Sequence, residues 1–277
     1  MKLPNIIVRI IAGAVFVALL LGGILINEYT YAVIFSIVTA LCLYEFYGLI
    51  ERDAKVKVFK ALNIIGGILL FWGAYFQQQH LCPDILSFSP YILFTIALFV
   101  SELYLKRENP LKSLAYSLLG QIYIAFPFAL TNSLVFDPRG EYVYIYILAV
   151  LVFIWVNDSF AYLTGMLLGK HRLFERISPK KSWEGFIGGA VFTIASSLLF
   201  SHFAGGIPTI AWMGFAALVV VFGTWGDLIE SLMKRTLGVK DSGNMIPGHG
   251  GILDRFDSTI LAIPAAVVYL VIVNTFY

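Results

Sequence analysis

Charge is scarce in this chain, and its scarcity excludes most soluble folds. Only 13% of the 277 residues are charged, 59% are hydrophobic and the mean hydropathy is +0.84. Soluble domains have about 25% charged residues. No Pro/Ser-rich or low-complexity stretch interrupts the sequence, and it contains no convincing internal repeat. We therefore predict an all-α, polytopic integral membrane protein that forms a single domain over residues 1–277.

Cysteine is almost absent as well. Cys42 and Cys82 lie in or beside different hydrophobic segments. Such a pair indicates neither a disulfide framework nor a metal site, so we interpret both as packing residues. The net charge of +2 is uninformative about partners, and we expect no nucleic acid among them.

Long apolar segments, by contrast, are abundant. A spanning helix needs about 20 largely apolar residues. The first segment is longer than the apolar region of a signal peptide and no A-x-A-like site follows it, so we interpret it as an uncleaved helix. The nine predicted helices cover residues 5–27, 29–50, 61–79, 88–105, 114–136, 142–167, 185–205, 208–232 and 253–276.

Positive charges predict the orientation of these helices. All Lys and Arg residues except Arg139 fall in five segments, and nine helices place those segments on one face. The positive-inside rule makes that face cytoplasmic. Glu45 and Glu102 lie near inner helix ends, where we expect interhelical pairing or snorkelling. The five segments are the N-terminus and the loops at 51–60, 106–113, 168–184 and 233–252 with its edges.

The densest group of charges lies between Gly226 and Ser258. Charged side chains at membrane depth are costly and mark functional sites. Asp227, Glu230, Ser231 and Lys234 are spaced to share one helix face, and a second pair, Asp254 and Asp257, begins the last helix. Carboxylates suit Mg²⁺, which binds a few of them together with phosphate oxygens. The glycines of Pro247–Gly251 allow close backbone approach to a ligand or a positive φ.

Acidic residues from three predicted helices are expected at the same depth in the membrane. Asp158 lies about 24 Å and Asp227 about 27 Å into its helix at 1.5 Å per residue, in a hydrocarbon core about 30 Å thick. Both are therefore expected at the inner edge of the membrane, on the side where Asp254 and Asp257 begin the last helix. We predict a site at this level that faces the basic loops.

The loop at 168–184 contains a predicted phosphate site. Ser178 and Pro179 resemble a helix start, with Ser as the N-cap. Lys180 and Lys181 would lie in the first turn, where free N–H groups and positive charge favour phosphate, although the positive-inside rule alone also explains these lysines. Tyr162 and Trp183 are expected either to stack on a base or to belong to the interfacial aromatic belt.

Three segments carry a resemblance to a known family. The run S-x-x-K-R-x-x-x-x-K-D-x-x-x-x-x-P-G-H-G-G-x-x-D-R-x-D, Ser231–Asp257, resembles the signature of the phosphatidate cytidylyltransferases (CDP-diacylglycerol synthases). The segments N-D-S-F-A-Y at Asn157–Tyr162 and S-P-K-K-S-W-E-G at Ser178–Gly185 extend it. The resemblance implies that phosphatidate attacks CTP in a membrane enzyme of phospholipid synthesis. It covers the second half of the chain strongly, whereas the first half matches only in its hydrophobic helices.

Roles can be assigned to individual residues as hypotheses, beginning with the paired acids that flank this signature. Asp227 and Asp254 are the predicted Mg²⁺ ligands, with Asp257 and Asp158 as further ligands or their supports, and a second, monovalent cation is allowed for. Asp241 would hold Lys240 or a metal-bound water, and His249 would donate to a phosphate or act as an acid or base. The residues predicted to bind nucleotide or lipid are Asn157, Asp158, Ser178, Lys180, Lys181, Lys234, Arg235, Lys240, His249, Gly250 and Arg255.

The resemblance further implies CTP and phosphatidic acid as substrates, a homodimer, and a multi-pass protein of the cell membrane with its active site facing the cytoplasm. Residues 1–136 would be a helical scaffold, and 137–277 would supply the catalytic helices and loops. Two alternatives stay open. One is a secondary transporter for an anionic solute. The other is a CTP-dependent lipid kinase or a cytidylyltransferase for a different lipid phosphate.

Overall fold

The computed structural model of the protein describes residues 3–52, 56–248 and 250–276, with side chains from Val8 onward. Helices dominate, as predicted. One helical segment is interrupted, since a π-helical turn at Gln121–Ala125 follows α5. The helices are α1 (Leu3–Ile26), α2 (Glu28–Ile50), α3 (Lys60–Gln78), α4 (Asp84–Tyr104), α5 (Pro110–Gly120), α6 (Phe126–Leu130), α7 (Asn132–Val135), α8 (Ile145–Leu168), α9 (Trp183–Ala204), α10 (Thr209–Thr236) and α11 (Leu253–Phe276).

Eight segments among the described residues are long and apolar enough to cross a membrane, which confirms the predicted polytopic, all-α class. The predicted third span is a helix, α3, but it is not one of the eight. Asn63, three glycines and two glutamines lower its hydropathy. The outward-facing side chains of the spans are apolar, for example Ile10, Leu103 and Val268. Such a surface suits contact with lipid.

A small hairpin interrupts the helical fold. Strand β1 (Arg172–Phe174) pairs antiparallel with β2 (Ser178–Ser182). The prediction that Ser178 and Pro179 start a helix is therefore wrong. The segment S-P-K-K-S contains two serines, and the second, Ser182, is the N-cap of α9, with its hydroxyl accepting from Gly185 N at 3.1 Å. In a two-stranded hairpin both strands are edges, which tolerate a proline.

Two compact units divide the chain. The first comprises the residues up to Tyr144 together with Thr236–Phe256. Its core contains buried aromatic residues and a buried polar network. The Gln121 amide in the π-helical turn donates to Asn63 O at 2.8 Å and to the Tyr47 hydroxyl at 3.2 Å. These bonds satisfy polar groups inside the core and fix the interrupted segment against α2 and α3.

The second unit comprises Ile145–Arg235 and Asp257–Tyr277. Its best-packed pair is α8 and α9, which approach closely because α9 presents glycines to α8. A Cβ added at Gly189 would lie 2.5 Å from Asn157 Oδ1 and 2.9 Å from Asn157 O, and one at Gly185 would lie 2.8 Å from Ala161 O. The glycines of the W-E-G-F-I-G-G sequence therefore let the backbone of α8 lie directly against α9.

Candidate active site

A cavity of about 520 Å³ lies in the second unit, between α8, the hairpin, the start of α9 and α10. One part of its lining is polar and includes cationic, carboxylate and amide side chains. Another part is apolar and includes Met166, Leu173 and Phe186. Such a mixed lining suits a ligand with both phosphate and hydrocarbon parts. The predicted site residues that line this cavity are Asn157, Asp158, Lys180, Lys181 and Asp227.

An ion pair joins the hairpin to α10 inside this cavity. Lys181 Nζ lies 2.5 Å from Asp227 Oδ2, and both side chains are about one quarter exposed. The hydroxyl of Ser231, one helical turn further along α10, donates to Asp227 Oδ1 at 3.2 Å. A predicted phosphate-binding lysine and a predicted metal ligand therefore contact each other, although Lys181 lies on a strand and not in a helix turn.

Asn157 contributes a polar side chain to the same cavity. Its side chain lines the cavity and is only 7% exposed. Among the described residues, its Oδ1 has no hydrogen-bond partner. A buried amide oxygen without a partner costs free energy. This oxygen faces Gly189 of α9, where an added Cβ would lie 2.5 Å from it, and the predicted binding role of Asn157 stays a prediction.

Four carboxylates of the second unit interact electrostatically. The negative charges of Asp227, Glu230 and Asp158 all act on the carboxyl of Asp257, which also accepts from Ser258 N at 2.6 Å. No three acidic, His or Cys side chains within the described ranges converge closely enough to form a metal-binding group. The acids are therefore close enough to influence each other but do not form a protein-only metal cage.

The predicted polar face of α10 is present, but much of it is buried. Glu230 is 1% exposed and Lys234 8% exposed, and these two side chains form an ion pair one turn apart. Lys234 was predicted to bind phosphate. Its buried ion pair with Glu230 gives it a second, structural explanation, because a buried charge requires a partner.

The signature loop, which we define as Lys240–Ile252, belongs to the first unit together with the start of α11. Asp254 holds its backbone: the carboxylate accepts from Ser242 N at 3.0 and 3.1 Å and from Gly251 N at 2.8 Å. Asp254 thus already has a role in the loop, whereas its predicted role as a Mg²⁺ ligand stays a prediction. Asp227 and Asp254 belong to different units.

The glycine prediction is confirmed at two positions in this loop. Gly248 and Gly250 have φ values of +75° and +86°, which side chains with a Cβ rarely adopt. Ile246 N donates to Gly250 O at 3.0 Å and closes the turn between them. His249, which stands between these two glycines in the sequence, is outside the described residues.

Four of the remaining predicted residues, which lie in or near the signature loop, are exposed. Lys240, Asp241, Arg235 and Arg255 are all exposed, and their predicted roles towards phosphates stay predictions. Ser178 is on β2 and is not among the residues that line the cavity. Tyr162 lines the cavity while 69% exposed, whereas Trp183 does not line it.

Sequence reasoning missed other residues of these sites. Arg172 and Thr224 line the cavity, but neither stood out in the sequence. Glu184 accepts from the backbone N–H of Lys170 and His171 and so anchors the start of the hairpin. Glu45 was expected to pair between helices or to snorkel. It is 5% exposed and accepts from Leu253 N at the start of α11, a contact between helices, and also from Ser242 in the signature loop, which was not expected. An acidic residue in an otherwise apolar helix was the available signal.

These features define a class of protein: a polytopic membrane protein with a cavity that is lined by lysines and carboxylates on one part and by apolar side chains on another. Comparison with known proteins identifies the family. The model of the cytidylyltransferase family matches residues 7–273, and this chain therefore belongs to that family.

Curated relatives share most of its length. A phosphatidate cytidylyltransferase of Bacillus subtilis (strain 168) is 33% identical over 260 residues, which are 92% of this chain and 94% of the relative. The protein of the same name in Staphylococcus aureus (strain COL) is 32% identical over 266 residues, or 95% and 96% of the two chains. The predicted family and enzyme class, a nucleotidyltransferase, are confirmed.

Proposed function

We propose that this enzyme transfers the cytidylyl group of CTP to phosphatidate and releases diphosphate. The observation that carries the proposal is the cavity of the second unit, in which Lys180, Lys181 and Arg172 lie beside Met166 and other apolar side chains. A lipid phosphate has the matching combination of an anionic headgroup and hydrocarbon chains. The names of the relatives support CTP and phosphatidate as the particular substrates.

The reaction requires positioning more than acid–base chemistry. An oxygen of the lipid phosphate forms a bond to the α-phosphorus of CTP, and the bond from that phosphorus to the β-phosphate oxygen breaks, so that diphosphate leaves. The nucleophile is already ionised near pH 7, which removes the need for a strong general base. Catalysis of such a transfer rests on orientation and on neutralisation of phosphate charge.

The residues of the cavity have separate tasks in this proposal. Lys180 and Lys181 bind phosphate oxygens, and Arg172 adds a planar donor group suited to bidentate phosphate contacts. Asn157, which lines the same cavity, contacts the bound substrate. Lys181 neutralises Asp227 when no substrate is present, and a phosphate in the cavity offers this lysine a second anionic partner.

The carboxylates fit a magnesium ion by their chemistry. Mg²⁺ prefers oxygen ligands and is commonly held by one or two carboxylates together with substrate phosphates, so a protein-only cage is not required. We propose Asp227 as the ligand in the second unit, with Asp158 and Asp257 as its neighbours. Asp254, in the first unit, and a second, monovalent cation stay predictions. When bound, the ion would neutralise negative charge on the phosphates.

The proposal includes the setting of the reaction. The distribution of Lys and Arg supports an active site that faces the cytoplasm from the inner boundary of a cell membrane. A homodimer is proposed on the family resemblance alone. Substrates therefore arrive from two phases, CTP from the cytosol and phosphatidate from the bilayer.

The deciding experiment follows labelled CTP in purified protein with phosphatidate and Mg²⁺ in detergent–lipid micelles. We expect label from the α-phosphate to enter the lipid phase only when both phosphatidate and Mg²⁺ are present. Asp227→Asn should abolish this transfer while the protein still inserts into the membrane. The matched control is Asp84→Asn, at an exposed position in the first turn of α4, which should keep full activity.

Other outcomes would overturn the proposal. Lipid labelled from the γ-phosphate of CTP would identify a lipid kinase. Label transfer to a different lipid phosphate in preference to phosphatidate would identify another cytidylyltransferase. Full activity of Asp227→Asn at matched expression would remove the assignment of that residue to Mg²⁺.

A further inference from the structure

Glu45 lies near the C-terminal end of α2, almost 200 residues before the signature loop in sequence. Its side chain is 5% exposed. Its Oε2 accepts from the Ser242 hydroxyl at 3.0 Å and from Leu253 N at 2.9 Å. One carboxylate oxygen therefore binds residues close to both ends of the loop.

The hydrogen bond to Leu253 N occupies a helix start, because Leu253 is the first residue of α11. The first N–H groups of a helix have no acceptor within that helix, and a negative charge there is stabilising. Glu45 supplies both an acceptor and a charge from a different helix. The start of α11, including Asp254, is thereby held against α2.

The glycines of the loop are required by this arrangement. A Cβ at Gly251 would overlap Glu45 Oε2 and lie 2.8 Å from Gly243 N. A Cβ at Gly243 would overlap Glu45 Oε1 and lie 2.7 Å from its Cδ. The loop backbone thus packs directly on the carboxylate, and Gly251 in addition donates to Asp254.

The other oxygen of this carboxylate is buried too. Within the described part of the chain, Glu45 Oε1 has no hydrogen-bond partner. A buried carboxylate that uses only one oxygen is costly.

We propose that Glu45 is a positioning residue for the transfer reaction: it fixes both ends of the signature loop and so sets the position of Asp254. Ser242 is its intermediary, since the Ser242 hydroxyl binds Glu45 while the Ser242 N–H binds Asp254. The kinetic consequence rests on the proposed function. The structural consequence does not, because it concerns contacts within the first unit alone.

The test compares three substitutions at this position. Glu45→Gln keeps an acceptor oxygen at the same distance from the backbone of α2 and should retain activity to within about threefold. Glu45→Ala removes the acceptor oxygen, and the shorter side chain of Glu45→Asp draws it away from the loop. Because a displacement of about 1 Å can reduce rates on the order of 100-fold, we expect kcat to fall at least tenfold in these two variants. The KM for CTP should change less than kcat.

Hydrogen exchange measured without CTP, phosphatidate or Mg²⁺ provides a readout that is independent of the reaction. In Glu45→Ala the amides of Ser242, Gly251 and Leu253 should exchange about tenfold faster or more, because local opening becomes easier when their anchor is removed. Amides in the middle of α2 should be unchanged. The matched control is Glu102→Ala, which removes a buried carboxylate that pairs with Arg107 instead and should change neither the loop nor kcat.

Three results would overturn the proposal. The first is unchanged loop exchange in Glu45→Ala. The second is higher activity in Glu45→Asp than in Glu45→Gln, since the reaction would then depend on the charge of the side chain and not on its length. The third is additive loss of activity in Glu45→Ala and Ser242→Ala, because removal of a shared contact must be non-additive.

If Glu45→Ala does not fold, Ser242→Ala alone must reproduce the faster exchange at Gly251 and Leu253. Normal exchange there would reject the role. If exchange changes as expected while no cytidylyl transfer occurs in the wild type, the proposed function fails and the loop anchor stands.

Discussion

At the scale of single residues, Lys181 links the proposed binding of phosphate to the proposed binding of Mg²⁺. It pairs with Asp227 in the cavity of the second unit, and both side chains retain partial exposure. An ion pair at such a position contributes little to stability, since solvent weakens it. Its value lies in placing a lysine and a carboxylate where a phosphate and a cation are expected.

Lys181→Met tests this interpretation. Methionine retains the apolar stem but removes the charge, so substrate phosphate loses a charge-assisted hydrogen bond. Such bonds contribute roughly 1.5–3 kcal/mol, and we expect kcat/KM to fall on the order of 10- to 100-fold. The thermal stability of the protein in detergent should change little. Steady-state label transfer over a range of CTP and phosphatidate concentrations would also identify which substrate Lys181 binds.

The matched control is Lys112→Met, in the first turn of α5, where the side chain is exposed and lines no part of the cavity. Its kinetics should equal those of the wild type. Equal losses in Lys181→Met and Lys112→Met would mean that the general positive charge of the surface, and not a specific contact, is responsible.

The dependence on magnesium gives a second prediction at this scale. Removal of Mg²⁺ with a chelator should abolish transfer, and added Mg²⁺ should restore it. In Asp227→Asn, any residual activity should require at least about tenfold more Mg²⁺, because an amide oxygen is a weaker ligand than a carboxylate. An unchanged Mg²⁺ requirement in this variant would assign the ion to other residues.

At the scale of elements, the contact between α8 and α9 determines the shape of the cavity. Gly189→Val places a branched side chain where an added Cβ alone would lie 2.5 Å from Asn157 Oδ1. Overpacking of this kind costs about 1–3 kcal/mol. We expect a lower melting temperature in detergent and reduced transfer, since Asn157 must move away from its place at the cavity.

Gly48→Ala is the control for this substitution. Gly48 lies in α2, and an added Cβ would meet no described heavy atom within 4 Å. Alanine is favoured over glycine in helices by up to about 1 kcal/mol. Stability should therefore be equal or higher. A melting temperature in Gly189→Val equal to that of the wild type would show that α8 and α9 tolerate separation.

The elements also indicate what the sequence could predict. Long apolar runs and the spacing of Asp227 and Ser231 follow from local periodicity, and these predictions are confirmed. The helix start at Ser178 was wrong because two serines compete as N-caps, and only pairing with Arg172–Phe174 selects Ser182. Glu45 was undervalued for a similar reason: its partners are about 200 residues away, and local spacing contains no information about them.

At the scale of the whole molecule, the proposed orientation depends on α3. All five positively charged segments share a face only if α3 crosses the membrane, yet α3 is less apolar than the eight helices that qualify as spans. Buried Asn63 donates to Ser117 Oγ at 3.1 Å and to Phe59 O at 3.0 Å. These bonds satisfy the amide donor within the protein, which lowers the cost of placing it at membrane depth.

The native Cys82 provides the test, since it lies four residues after the end of α3 and is partly exposed. With the buried Cys42 replaced by alanine, a membrane-impermeant maleimide should label Cys82 in intact cells. In a variant that lacks both native cysteines, Lys112→Cys should be labelled only after permeabilisation, because the proposed topology places it on the cytoplasmic face. If Cys82 also required permeabilisation, α3 would not cross, and the positive segments before and after it could not share one face. The cytoplasmic assignment of the cavity would then need evidence from its own loops, beginning with labelling of Arg172→Cys in β1.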